Sequence, residues 1–257
     1  ANKILNRYLW NLNRVTDLRI HTFDGGNLRN AIAREAFALV SVPFSEKENV
    51  RVLLNHYISD IEKEIGDIEP DLVIAIESEQ LPATVIDKKT SNALLNALYA
   101  CPHGVKAMSK DMPGLVETST NLASVKMQPD FKVLITTSQR SSVETSKYDI
   151  AHQVESVFLL AGAEVTHGDG YPGWKPNLKS GILRQAEATY TGLFGEKAQV
   201  KAIHAGLECG LFLKKYPHLD MISIGPQMYG VHSPDERLSI SSTQKCWKWL
   251  IKILESI

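Results

Sequence analysis

Between residues 164 and 240 short apolar runs are cut off by glycine- and proline-rich turns, and this rhythm most constrains the fold. The last of these stretches, residues 221–240, reads MISIGPQMYGVHSPDERLSI. Met221-Ile222-Ser223-Ile224 has a buried-strand composition, and Gly225-Pro226 stops it, because proline removes a ladder donor and glycine weakens a strand. His232 is therefore expected in a loop after a strand. Ser233, Pro234 and Glu236 then predict a helix start with a capping box, and residues 238–257 the closing helix. Residues 164–167 and 200–204 are the two earlier runs, each followed by a turn and a helix, over 178–194 and 211–216. Strands alternating with helices predict a mostly parallel sheet, with the turns at 168–176, 205–210 and 225–232 gathered outside one edge.

Upstream the rhythm differs. Helical spacing from the first residue predicts a helix, as in a chain that begins inside one. Strands are expected at 18–23, 36–42 and 72–76, with a helix from Ser45 to Ile65. A second round follows: a helix over 90–99, strands at 115–118, 122–127 and 131–137, and a helix over 141–160. Asn27-Leu28-Arg29-Asn30-Ala31-Ile32 is echoed weakly by Ser119-Thr120-Asn121-Leu122-Ala123, so two α+β units, 1–85 and 86–163, are one reading and chance repetition the other. The fold class is thus α/β: an antiparallel α+β layer, duplicated in this reading, followed by an alternating α/β part from residue 164.

Charge excludes some partners. Twenty-eight basic against 29 acidic residues leave a net charge of -1, which attracts neither nucleic acid nor an anionic membrane. Cys101, Cys209 and Cys246 are three, widely spaced and without a CxxC, which disfavours a disulfide framework and suits a reducing cytoplasm.

His204, Glu208 and His232 are of types that ligate zinc, yet a catalytic zinc takes about three protein ligands and no HExxH spacing is present. Glu208 reads equally as a helix-start carboxylate and His204 as a core histidine. Arg140 lies between a strand and a helix, suited either to a substrate carboxylate or to solvent beside a Ser141 cap. Asn30 and Asn121 are turn formers by default. Trp174 between prolines reads as a packing plug, and Trp247, Leu250, Ile251 and Leu254 as a core stripe. No nucleophile elbow, phosphate loop or dinucleotide fingerprint occurs.

Four segments carry a resemblance: residues 25–37 (GGNLRNAIAREAF), 170–177 (GYPGWKPN), 204–210 (HAGLECG) and 225–237 (GPQMYGVHSPDER). They resemble the bacterial aminoacyl-histidine dipeptidases, of the di-zinc aminoacylase and carboxypeptidase superfamily. The resemblance implies a lid, residues 1–163, internally duplicated, and then the C-terminal portion of a zinc-peptidase-like α/β catalytic domain, residues 164–257. It implies His232 as the last ligand of a two-zinc site and Arg140 as the lid arginine for the substrate carboxylate. Asn30 or Asn121 would be the asparagine near the scissile bond, and His204, Gly206 and Glu208 the substrate-binding turn. It implies a cytoplasmic homodimer acting on Xaa-His dipeptides such as carnosine-type ones. The family's HxD, bridging aspartate, Glu-Glu pair and GGHSG segment have no counterpart in this sequence, so the chain is expected to be inactive alone. Departing further, Ala33 stands where proline is usual. The rival readings are a non-enzymatic lid, dimerisation or binding module, and another peptidase or aminoacylase of the superfamily.

Overall fold

A computed structural model of the chain describes residues 1–130, 132–168, 170–174, 177–201, 208–231 and 235–257. The chain divides into two compact units. The first comprises Ala1–Ala107, Ser119–Gln139 and Tyr148–His167; the second comprises Met108–Thr118, Arg140–Lys147 and Gly168–Ile257.

The first unit is built on helix α1 (Asn2–Asn13), the hairpin β1 (Arg19–Gly25) and β2 (Ala36–Ser41), and helix α2 (Lys47–Ile65) behind a single 3-10 turn. The hairpin is antiparallel, from Arg19 opposite Ser41 to Gly25 opposite Ala36, with an irregularity between Ile20 and Thr22. Helix α2 buries Val50, Leu54, Tyr57 and Ile61, a stripe at helical spacing. Helix α3 (Lys88–Ala100) starts at Asp87, whose carboxylate accepts the Thr90 N–H at 3.0 Å. Strands β3 (Gly104–Met108), β4 (Val116–Met127) and β5 (Val133–Ser141) and helix α4 (Glu144–Leu160) follow. The sheet runs β2-β1-β4-β3, and β5 also pairs with β4. Strands β1 and β4 meet antiparallel at Gly25 and Val125. The β3, β4, β5 and α4 elements each give residues to both units.

Helices α1 and α3 lie side by side and antiparallel. Lys3 Nζ donates to the Leu98, Tyr99 and Cys101 carbonyls at the end of α3, whereas Asn13 donates to Asn92 near its start. Leu9, Leu12, Leu95 and Leu98 seal this contact over Leu18, Ile20, Phe23, Leu122 and Val125 in one apolar cluster.

In the second unit, helix α5 (Gly181–Phe194) is capped by Ser180, and Asp220 Oδ2 accepts the Gly181 and Ile182 N–H groups at 2.7 and 3.1 Å. Helix α6 (Glu208–Lys215), the two-residue pair β6 (Met228–Tyr229) and β7 (Arg237–Leu238), and helix α7 (Ile240–Leu254) complete it. Trp249 of α7 donates its indole N–H to the Ala186 carbonyl of α5 at 3.0 Å.

Several sequence expectations are corrected. Residues 72–76, 164–167 and 221–224 form no strand; such a run becomes a strand only where a neighbour completes its ladder, and among the described residues none does. The parallel sheet expected from residue 164 is accordingly not seen among the described residues, where the only pairing in that stretch is the antiparallel β6–β7. Val200 and Lys201 are outside any strand, and the rest of the run at 200–204 lies outside the described residues. The strands expected at 115–118 and 122–127 are one continuous β4. Ser233 and Pro234 lie outside the described residues, and the closing helix takes Ser239 as its cap, accepting the Ser242 N–H. Of the expected core stripe on that helix, Trp247, Ile251 and Leu254 are exposed and Leu250 is half-buried. The buried face is one residue over, through Trp249 and Ile253, because the contact with α5 selects it. Among the described residues no helix is long and apolar enough to cross a membrane.

Candidate functional site

Arg140 is placed by the end of β5. Its neighbour Ser141 is buried and shares a 2.9 Å hydroxyl bond with Thr118 on β4. Ser141 Oγ also accepts the Val143 N–H at 3.0 Å, and the Ser142 N–H reaches the Glu117 carbonyl at 3.1 Å. The turn from strand to helix is thus tied down on both sides, so an arginine on it is presented from rigid backbone. A guanidinium offers a planar fork of donors that matches a carboxylate.

The glycine- and proline-rich loop docks onto the start of α4. Glu144 accepts the Gly173 N–H at 2.9 Å, and Lys147 bonds both Glu144 oxygens, at 2.8 and 2.9 Å, and the Tyr171 carbonyl at 3.0 Å. Pro172 is buried between them. Beyond the loop, Gly210 of α6 sits against the Pro172 carbonyl, and Glu208 occupies the first turn of α6. A carboxylate there complements the helix N-terminus, as the helix-start reading of Glu208 had it. The sheet edge at which the turns were expected to gather is not seen among the described residues; what is seen is one close approach, of Gly210 in α6 to the Pro172 carbonyl, while residues 169, 175–176 and 205–207 lie outside the described residues. Trp174 is half-buried in the same loop.

In the first unit, Asn121 on β4 donates its amide N–H to the Ala31 carbonyl at 2.7 Å, which brings it to the turn carrying Asn30. Among the described residues the buried Asn121 Oδ1 atom has no hydrogen-bond partner, whereas Asn30 is exposed on a turn closed by the Ala31 N–H on the Leu28 carbonyl. His204, Gly206 and His232 lie outside the described residues.

Among the described residues no group of three or more His, Cys, Asp or Glu side chains stands where it would hold a metal ion. All three cysteines are outside any disulfide, and burial pushes the Cys101 thiol up to about 11, which keeps it protonated and unreactive. Pro172, Gly173 and Gly210 lie in two of the segments that carry the resemblance, but their contacts, and the parts that Glu144 and Lys147 play in them, had no signal in the sequence, because partners 29 residues apart leave no local pattern.

These elements define a mixed α/β protein on an antiparallel sheet, with a cationic strand-to-helix turn braced by a glycine-proline loop. The chain belongs to Peptidase family M20/M25/M40, whose profile matches residues 18–256. It is 38% identical over 257 residues to the cytosol non-specific dipeptidase of Escherichia coli (strain K12), covering 100% of this chain and 53% of that protein. It superposes on the crystal structure of aminoacylhistidine dipeptidase from Vibrio alginolyticus with a TM-score of 0.89 and 38% identity, covering 100% of this chain and 52% of that one. The chain thus spans about half the length of the relatives it matches.

Proposed function

We propose that this chain is the C-terminal part of a metal-dependent dipeptidase acting on Xaa-His dipeptides. The observation that carries the proposal is 38% identity along the whole chain to a dipeptidase, supported by the likeness to an aminoacylhistidine dipeptidase of known structure. In this reading residues 1–163 form the lid and 164–257 belong to the catalytic domain. An internal duplication of the lid, 1–85 and 86–163, is supported by its element order. Helix, strands and helix occur twice, as α1-β1-β2-α2 and as α3-β3-β4-β5-α4, with β1 and β4 neighbours in the sheet and α1 against α3; the second round has one strand more than the first.

Arg140 holds the C-terminal carboxylate of the dipeptide. Asn30 or Asn121 contacts the region of the scissile bond, the turn of His204, Gly206 and Glu208 receives the substrate backbone, and His232 is a zinc ligand. Two zinc ions, when bound in the complete enzyme, supply an activated water. The described residues contribute binding and orientation. The cytoplasm as location and a homodimer as assembly are carried by the same resemblance, and light scattering of the full-length protein checks the second.

The purified 257-residue chain is expected to show no zinc-stimulated hydrolysis of β-alanyl-histidine or glycyl-histidine, whereas the full-length protein hydrolyses both. Turnover by the chain alone overturns its assignment as an inactive part. A full-length protein that spares Xaa-His dipeptides but cleaves tripeptides or N-acyl amino acids overturns the substrate class.

A further inference from the structure

Two backbone approaches in the second unit are too close for any side chain. A Cβ on Gly173 would stand 2.7 Å from the Ser142 carbonyl oxygen and 2.8 Å from that of Ser141, immediately after Arg140. A Cβ on Gly210 would stand 2.8 Å from the Pro172 carbonyl oxygen. The loop therefore touches the Arg140 turn with Gly173 and the first turn of α6 with Pro172, the residue before it. Polar contacts close the same joint: Glu144 on the Gly173 N–H, and Lys147 on the Tyr171 carbonyl. The Lys147 side chain is only 14% exposed, so its bonds are shielded from competing water.

We propose that the loop at residues 171–174 is a positioning latch, which locks the Arg140 turn and the Glu208–Gly210 turn at one fixed separation and so sets the register of the substrate carboxylate. The latch rests on the carboxylate reading of Arg140. Gly173, Pro172 and Gly210 touch no substrate in it; they act through Arg140 and α6. Proline contributes a fixed φ and glycine the missing Cβ, so neither contact tolerates drift. A binding group misplaced by about an ångström costs up to roughly a hundredfold in rate, which is the scale on which a latch matters.

The experiment has two arms. In the first, hydrogen exchange is followed in the 257-residue chain at the Ser142 and Val143 amides, whose bonds hold the Arg140 turn. Gly173→Ala and the milder Lys147→Met are expected to speed exchange there, while the α3 amides stay protected; unchanged exchange in both variants overturns the latch. In the second, full-length protein is assayed on a dipeptide and its C-terminal amide. Gly173→Ala is expected to raise KM for the free acid about tenfold with kcat held within about twofold, and to leave the amide unaffected. Equal losses on acid and amide reduce the loop to a structural brace and overturn the positioning role. Arg140→Ala is the control: if it fails to distinguish acid from amide, the carboxylate reading falls, whatever the exchange arm has shown of the latch.

Discussion

At the scale of single residues, His103 is the group through which acid should reach the fold. Its Nδ1 accepts the Leu122 N–H at 3.0 Å, which leaves the ring proton on Nε2. Burial first, and then the Lys3 ammonium, hold its pKa below the ordinary 6.5. The unfolded chain therefore takes up the proton more readily than the folded one. Stability is lost as pH falls through 6.5, and the loss ends once the folded-state pKa has been passed. The urea midpoint of the chain is expected to drop between about pH 8 and pH 5. His103→Asn, whose amide oxygen can accept the same N–H without titrating, should flatten that drop. An equally steep fall in the variant would place the acid sensitivity elsewhere.

At the scale of elements, the contact of α1 with α3 carries the first unit. Leu98 has no exposed surface and sits in the cluster with Leu9, Leu12 and Phe23, so Leu98→Ala leaves a cavity and should cost about 2–5 kcal/mol in urea unfolding. Leu160→Ala, at the 90% exposed end of α4, should change stability by less than about 0.5 kcal/mol. A small effect of Leu98→Ala would mean that the helices are not held by this seam. These helices were legible because their apolar spacing is local; in α2 the spacing through Val52, Leu53, Tyr57, Ile61 and Ile65 finds the helix but only part of its buried face, since Tyr57 and Ile61 are buried together with Val50 and Leu54 while Val52 and Leu53 are exposed. The strands were less legible. Residues 221–224 and 104–108 show why: the first has the composition of a strand but no ladder, whereas β3, Gly-Val-Lys-Ala-Met, has little of that composition yet pairs with β4. The same limit holds at the candidate site. That Arg140 lies near the junction of a strand and a helix could be read from the chain, although the strand runs on through it to Ser141 rather than ending near Thr137, whereas Gly173 on the Ser141 and Ser142 carbonyls could not be read, because nothing local marks a contact between segments so far apart.

At the scale of the whole molecule, burial is divided unequally. The continuous apolar cluster, from Tyr8 and Leu12 through Phe23 to Val154 and Phe158, lies entirely within the first unit. In the second, the described hydrophobic side chains that reach full burial are Ala186 and Ile253, and helix α7 turns Trp247 and Leu254 outward. Since stability follows apolar area removed from water, at roughly 25 cal/mol per Å², the second unit should be the weaker. Calorimetry of the 257-residue chain is therefore expected to show two transitions. Trp249→Ala, which removes the indole bond to Ala186 and the ring packed on Tyr190, should lower only the first. Leu98→Ala should lower only the second, because sites without shared partners act independently. Hydrogen exchange should agree, with α1 and α3 protected longest and α5 and α7 opening first. A single transition that both substitutions lower by the same amount would show instead that the two units unfold as one, and that burial within each does not set its stability.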